Sequence, residues 1–219
     1  MVLGTVNRQT KATVIAIAAV GAAAVSLYFA FADRSQKINL DTYDVLGAVT
    51  AEETAKLLGS NGQVLVMARD TGADKNPSVE AELKAFQQTL KKYGGLSVII
   101  EKIQVTPMLM MSTGGGVPPD QLLKACRTRP NIAAVVLFFG FPQMADEEIE
   151  ALKKSGAKII VVSAFRPGYQ RLLEQQAIHL AIVPRPDAPP PTARKTRTLR
   201  ERFDQEYIVM TPAGTSGVR

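Results

Sequence analysis

Residues 132–139 read IAAVVLFF, and residues 158–163 read KIIVVS. Each is a short, almost unbroken apolar run rich in Val and Ile, with no polar alternation. A run of this kind suits a strand covered on both faces, which is the condition of a parallel sheet. Between the two lies ADEEIEALKKSGA (145–157), an amphipathic helical pattern stopped by Gly156. A strand, a helix of about ten residues and another strand form the repeating unit of an α/β fold.

Working outward, the same rhythm continues. Upstream, 63–68 (QVLVMA) predicts a strand, 78–93 an amphipathic helix closed by Gly94-Gly95, 96–103 a second strand and 119–127 a helix. Downstream, 168–175 predicts a helix and 177–183 (AIHLAIV) a fifth strand. The expected fold over residues 62–183 is therefore α/β, a single doubly wound parallel sheet of about five strands, Rossmann-like. Before it, 33–61 reads as a connector and a short helix over 50–58, with Thr50 and Glu53 at capping-box spacing. After it, 184–219 changes character. Pro184, Pro186 and Pro189, Pro190 and Pro191 predict an extended strap, 192–204 a basic helix, 206–210 an edge strand ended by Pro212, and 215–219 a frayed end.

Residues 12–32 (ATVIAIAAVGAAAVSLYFAFA) carry no charge. About 20 apolar residues in a helix cross a bilayer core of roughly 30 Å. Arg8 and Lys11 precede the run, so 1–11 is expected in the cytoplasm and the body on the outer side of a bacterial inner membrane, as a single-pass protein with a periplasmic domain. A cleaved signal peptide is the competing reading, since Ala30-Phe31-Ala32 precedes Asp33. The run exceeds the usual span of about 7–15 residues for a signal core, which favours a retained transmembrane anchor. Ala18, Ala22 and Ser26 share one helix face, where a second membrane helix could approach, or where an Ala-rich anchor merely meets lipid.

The chain has 219 residues and a formal net charge of +6. Residues 1–32 contribute two basic residues and no acid, 33–183 contribute 17 and 16, and 184–219 contribute seven and four. The excess thus sits at the two ends, and the expected lobe is nearly neutral. A nucleic-acid reader needs a basic face on its folded body, so nucleic acid is not an expected partner. In the tail, Arg194, Lys195, Arg197, Arg200 and Arg202 read as a solvated basic helix, or as a surface for an acidic partner or anionic lipid. Leu199 and Phe203, four apart, can anchor that helix on the body.

Catalytic patterns are missing. No GxGxxG follows the first strand, and neither GxxxxGK[ST] nor GxSxG occurs. One His and one Cys make an all-protein metal site untenable, so no cofactor, no metal and no enzyme is expected. His179 reads as a packed strand residue and Cys126 as a buried thiol. Gly114-Gly115-Gly116 precedes a helix, but Pro118-Pro119 removes two amide donors where an anion would sit.

In an open parallel sheet, ligands meet the loops beyond the strand carboxyl ends. Those loops hold Arg69 and Asp70, then 106–116, then Gly140-Phe141-Pro142, then Phe165 and Arg166. Arg69 and Asp70 can bind a polar ligand or pair with neighbours. Met108, Met110, Met111, Phe139, Phe141 and Phe165 fall near the same edge. They read as a rim for a protein partner, as local core, or as a small apolar ligand site.

The stretch NPSVEAELKAFQQTLKKYGG (76–95), followed by LSVIIEKI (96–103), resembles the first βαβ unit of type I periplasmic solute-binding proteins, the sugar receptors of ABC transporters. PPDQLLKACRTRPNIAAVVLFFGFP (118–142) and EEIEALKKSGAKIIVVS (147–163) resemble the next two units. The resemblance implies one lobe of a receptor that closes two similar lobes around a solute. Asn76-Pro77 matches the first loop of such receptors, but Ser78-Val79 follows without an aromatic. The expectation that emerges is a non-catalytic, membrane-anchored extracytoplasmic subunit that holds integral membrane protein subunits of a transport, respiratory or photosynthetic complex. The alternative is a tethered receptor or sensor for a sugar or other small solute.

Overall fold

A computed structural model of the 219-residue chain describes residues 13, 17–23, 25–26, 40–59, 61–70, 72, 76–113, 116–165, 168–188 and 198–216. The chain divides into two units, Met1–Asn39 and Leu40–Arg219. In the first, residues 17–23 are helical, and Ala18, Ala22 and Ser26 are exposed, as are Ile17, Val20 and Val25. Among the described residues no helix is long and apolar enough to cross a membrane. Much of the expected span over 12–32, with all of 1–11, lies outside the described residues.

The second unit is built on one sheet. Five strands run parallel: β1 (Gly62–Asp70), β2 (Leu96–Gln104), β3 (Ile132–Leu137), β4 (Lys158–Val162) and β5 (Leu180–Pro184). Two more, β6 (Tyr207–Thr211) and β7 (Gly214–Ser216), add antiparallel, giving the order β2-β1-β3-β4-β5-β6-β7. The helices are α1 (Asp41–Leu58), α2 (Pro77–Leu90), α3 (Pro107–Ser112), α4 (Pro119–Thr128), α5 (Asp146–Lys154), α6 (Gln170–Glu174) and α7 (Leu199–Glu206).

The apolar strands have two faces to cover, and two separate cores form. Leu65, Met67, Val135, Leu137, Ile159 and Val161 pack under α4, α5 and α6 through Leu122, Leu152 and Leu173. Val64, Val66, Ala134, Val136, Ile160 and Val162 pack under α1, α2 and α7 through Val49, Phe86 and Phe203. Right-handed crossovers require this division. The chain leaves β1 in one direction to reach β2 and returns the other way to β3. The direction of winding therefore reverses between β1 and β3, and a crevice opens at their carboxyl ends.

Three sequence expectations change. The helix expected over 50–58 begins at Asp41, so much of the expected connector is helix. Val45, Leu46, Gly47, Ala48 and Val49 are buried, because their small side chains let α1 lie close against α2. Thr50 is consequently no cap: its hydroxyl donates to the Leu46 carbonyl at 2.7 Å inside the helix. A second short helix, α3, occupies what reads as loop, started by the Thr106 hydroxyl, which accepts from the Leu109 amide at 3.2 Å. The tail, finally, completes the sheet, which has seven strands rather than about five. β6 stops at Thr211, before Pro212 as expected, but Pro212 sits in a turn to β7, which Gly214 opens at φ +125°. The strand expected at the edge is thereby covered.

The basic helix forms over its second half. Thr198 and Glu201 make a reciprocal capping box, with both bonds at 3.1 Å. Phe203 is fully buried and Leu199 partly so, as their spacing predicts. Arg200 pairs with Glu53 of α1 and with Asp204, and its guanidinium lies 5.3 Å from the Phe203 ring centre. Burial pushes the Glu53 carboxyl up, but the bonds from Lys56 and Arg200 outweigh it and hold the group below its usual range. Arg202 lies 3.7 Å from Asp41. These two arginines of the basic tail are thus spent on α1 and α7, while Arg194, Lys195 and Arg197 lie outside the described residues.

Candidate functional site

At the carboxyl edge of β1, β3 and β4 lies a cavity of about 660 Å³. Its floor begins with Arg69, in the three residues by which β1 runs past the pair of Met67 with Leu137 of β3. Phe138, Phe139 and Phe141 follow β3, Ser163 and Phe165 follow β4, and Tyr169 closes the side from the start of α6. Met144 before α5, Ile149 on α5 and Leu172 on α6 supply apolar wall.

The loops are tied together by backbone donors. The Gly140 amide donates to Val162 at 3.0 Å, with Gly140 at φ +87°. The Phe141 amide donates to the Tyr169 hydroxyl at 3.3 Å, and the Phe165 amide to the Ser163 hydroxyl at 3.2 Å. Gly116 brings the α3–α4 loop against this wall, since a Cβ there would come within 2.8 Å of the Phe141 carbonyl oxygen. Its role is packing, whereas Gly114 and Gly115 lie outside the described residues.

These ties leave particular groups available. Tyr169 and Ser163 accept in the bonds above, so each keeps its own hydroxyl proton to give. The Arg69 Nε is buried and has no hydrogen-bond partner among the described residues. An unpaired buried donor costs about 1–3 kcal/mol, which a ligand oxygen would recover. The cavity is thus lined by the Arg69, Ser163 and Tyr169 donors and the Gln143 amide beside phenylalanine rings and has, among its described lining residues, no carboxylate.

The sequence-selected edge residues separate into two groups. Arg69, Phe139, Phe141 and Phe165 come together around the cavity. Asp70 does not line it; its Oδ1 accepts from the Gly72 amide at 3.0 Å in a tight turn. Met108 and Met111 stand on α3, 81% and 86% exposed and away from the cavity lining, while Phe165 at its mouth is 76% exposed. The Met110 side chain and Arg166 lie outside the described residues. Phe139 and Phe141 pack partly against the core, so the rim is not one continuous apolar patch. Ser163 and Tyr169 are missed by sequence reasoning, because each looks like an ordinary residue at the end of an element.

The remaining reactive side chains have structural roles. The His179 Nδ1 accepts from the Ile159 amide at 3.2 Å, and burial, then Lys158, press the imidazole down to about 4. Cys126 is buried, and burial raises its thiol against a weaker opposing bond from Ser155. Among the described residues no group of three metal-ligating side chains occurs.

No protein-family model matches the chain, and no curated protein sequence matches it. Solved structures do. The arabinose-binding protein AraP of Geobacillus stearothermophilus is 19% identical over 65% of this chain and 45% of its own, at a TM-score of 0.47. The sugar-binding protein of a sugar ABC transporter from Bacillus halodurans is 17% identical over 65% and 45%, at 0.46. A structure of the XylFII–LytSN complex is 15% identical over 78% and 60%, at 0.50. The chain spans about half the length of these structures. The likeness is one of fold, that of an α/β lobe, and it agrees with the resemblance read over about residues 62–183.

Proposed function

We propose that this chain is a solute-binding lobe that takes a small, neutral, hydroxyl-rich molecule of the sugar class, without transforming it. The observation that carries this reading is the uncommitted donor set of Arg69 Nε, Ser163 and Tyr169, facing phenylalanine rings in a cavity of about 660 Å³ at the reversal of winding. Donors beside aromatic faces suit a molecule with oxygen on its edges and C–H on its faces. A single lobe leaves the cavity open on one side, so a second lobe or partner would complete the enclosure. Titration calorimetry with a panel of pentoses and hexoses tests this. At least one should bind, and Arg69→Gln should weaken it by about tenfold or more, the value of a charged hydrogen bond. A panel that gives no heat, or an Arg69→Gln variant that binds unchanged, would count against the assignment.

A second reading is favoured by Met108 and Met111, whose exposure on α3 serves no internal contact. Here the lobe, tethered through 12–32 to the membrane, would contact integral membrane subunits through this helix. Co-purification from native membranes should recover a partner with the wild type and lose it with the Met108→Ser, Met111→Ser double variant. Recovery of the same partner by both proteins would rule out this role for α3.

A further inference from the structure

A second cavity, of about 440 Å³, lies on the other face of the sheet. It shares the wall Phe138, Ser163 and Ala164 with the first, and parts of the chain outside residues 62–183 supply much of the rest. Tyr43 comes from α1, Arg185 follows β5, and Glu206 and Tyr207 mark the junction of α7 and β6. Glu82 of α2 completes it.

Glu82 is 7% exposed, and its carboxyl has no hydrogen-bond or ion-pair partner among the described residues. The other charged groups facing it are already engaged. Arg185 donates through Nε to the Asp204 carbonyl at 2.8 Å and lies 3.7 Å from Asp187, and Glu206 accepts from the Thr42 hydroxyl at 3.3 Å. Tyr43 and Tyr207 are the remaining titratable groups, and the ends of β3 and β4 contribute Phe138, Val162 and Ser163, which do not titrate. An acid buried without a partner beside an open space is a costly arrangement that a ligand can relieve. With two carboxyls, two phenol rings and one committed guanidinium, the lining favours a cation over an anion.

We propose that this second cavity binds a small molecule carrying a primary ammonium group, with Glu82 as its counter-ion. The counter-ion lies outside the sugar-class cavity, with which the second cavity shares only Phe138, Ser163 and Ala164. Glu82 holds its proton in the empty cavity, pushed up to about 8 by burial. Ligand binding then transfers that proton to solvent as the ammonium takes its place. Affinity rises with the ionised fraction of Glu82, about tenfold between pH 7 and pH 9.

The test uses the full chain, titrated with n-butylammonium and with 1-butanol in phosphate–borate buffer, because Tris is itself a primary ammonium. The expected results are binding of n-butylammonium that tightens about tenfold from pH 7 to pH 9, with release of a proton, and loss of that binding in Glu82→Gln. Glu150→Gln, at an exposed acid on α5 that lines neither cavity, should bind it as the wild type does, which ties the loss to Glu82. Absence of binding, equal binding by Glu82→Gln, or preferential binding of 1-butanol that weakens as pH rises would each overturn the assignment.

Discussion

Gly47→Ala is expected to lower the stability of the folded unit by about 3 kcal/mol or more. The Gly47 Cα faces the backbone of α2 so closely that an added Cβ would lie far inside van der Waals contact with the Glu82 carbonyl oxygen. The nearest atoms there, the Glu82 carbonyl oxygen, carbonyl carbon and Cα, are all backbone, so no side chain can rotate away. The helices must separate, and the separation pulls Val45, Val49 and Ala51 away from Leu83 and Phe86, which share a core with them. An alanine in a helix would ordinarily gain about 1 kcal/mol over glycine, so a net loss has to come from the crossing. Urea unfolding followed by far-ultraviolet circular dichroism measures it. Gly94→Ala is the control, since nothing lies within 4 Å of a Cβ there, and it should change stability by less than about 0.5 kcal/mol. Equal midpoints for Gly47→Ala and the wild type would disprove the close crossing of α1 and α2.

Glu82→Gln should act in the opposite direction and raise stability, by about 3 kcal/mol at pH 7. Burial lifts the Glu82 carboxyl from an ordinary 4.5 to about 8. Between those values the unfolded chain has released the proton while the folded chain retains it. The folded state therefore binds more protons, and stability falls as pH rises through this window. Below about pH 4.5 the two proteins should unfold alike, and above about pH 8 their difference should be constant. Glutamine keeps the shape of the protonated acid and carries no charge to ionise. Unfolding midpoints at pH 4, 7 and 9 give the curve. A variant less stable than the wild type at pH 7 would mean that Glu82 is paired in the folded protein. A residue that weakens the fold in this way and lines a cavity is the signature of a site kept for something other than stability.

Much of the sheet was legible because the signal is local. A strand covered on both faces must be apolar along its whole length, and IAAVVLFF and KIIVVS say so in eight and six residues. Helix α2 announced itself through the amphipathic pattern over 78–93, and the structure adds its start, where the Asn76 side chain accepts from the Ser78 amide at 3.0 Å and Pro77 stands in the first turn. The start of α1 was not legible, since VLGAV has neither the periodicity nor the cap of a helix. Those residues are helical because α2 lies against them. The seventh strand was equally hidden, because Gly214–Ser216 has no strand character apart from the neighbour it pairs with.

The site follows the same division. Arg69, Phe139, Phe141 and Phe165 could be placed at the ligand edge from strand order alone, because every parallel strand delivers its next loop to the same side of the sheet. That Arg69 turns inward while Asp70 turns into its own Asx bond depends on where β3 stops beside β1. The Tyr169 hydroxyl is held as an acceptor by the Phe141 amide, 28 residues away, and the Ser163 hydroxyl by the Phe165 amide of its own loop. Glu82 carries no mark in the sequence, standing as one acid among several on an amphipathic helix. Periodicity and apolar runs sufficed for the layers of this protein and the edge at which ligands meet it. Which polar groups are left without partners was settled by packing between segments far apart in the chain, since hydrogen-bond satisfaction and burial are properties of the assembled neighbourhood.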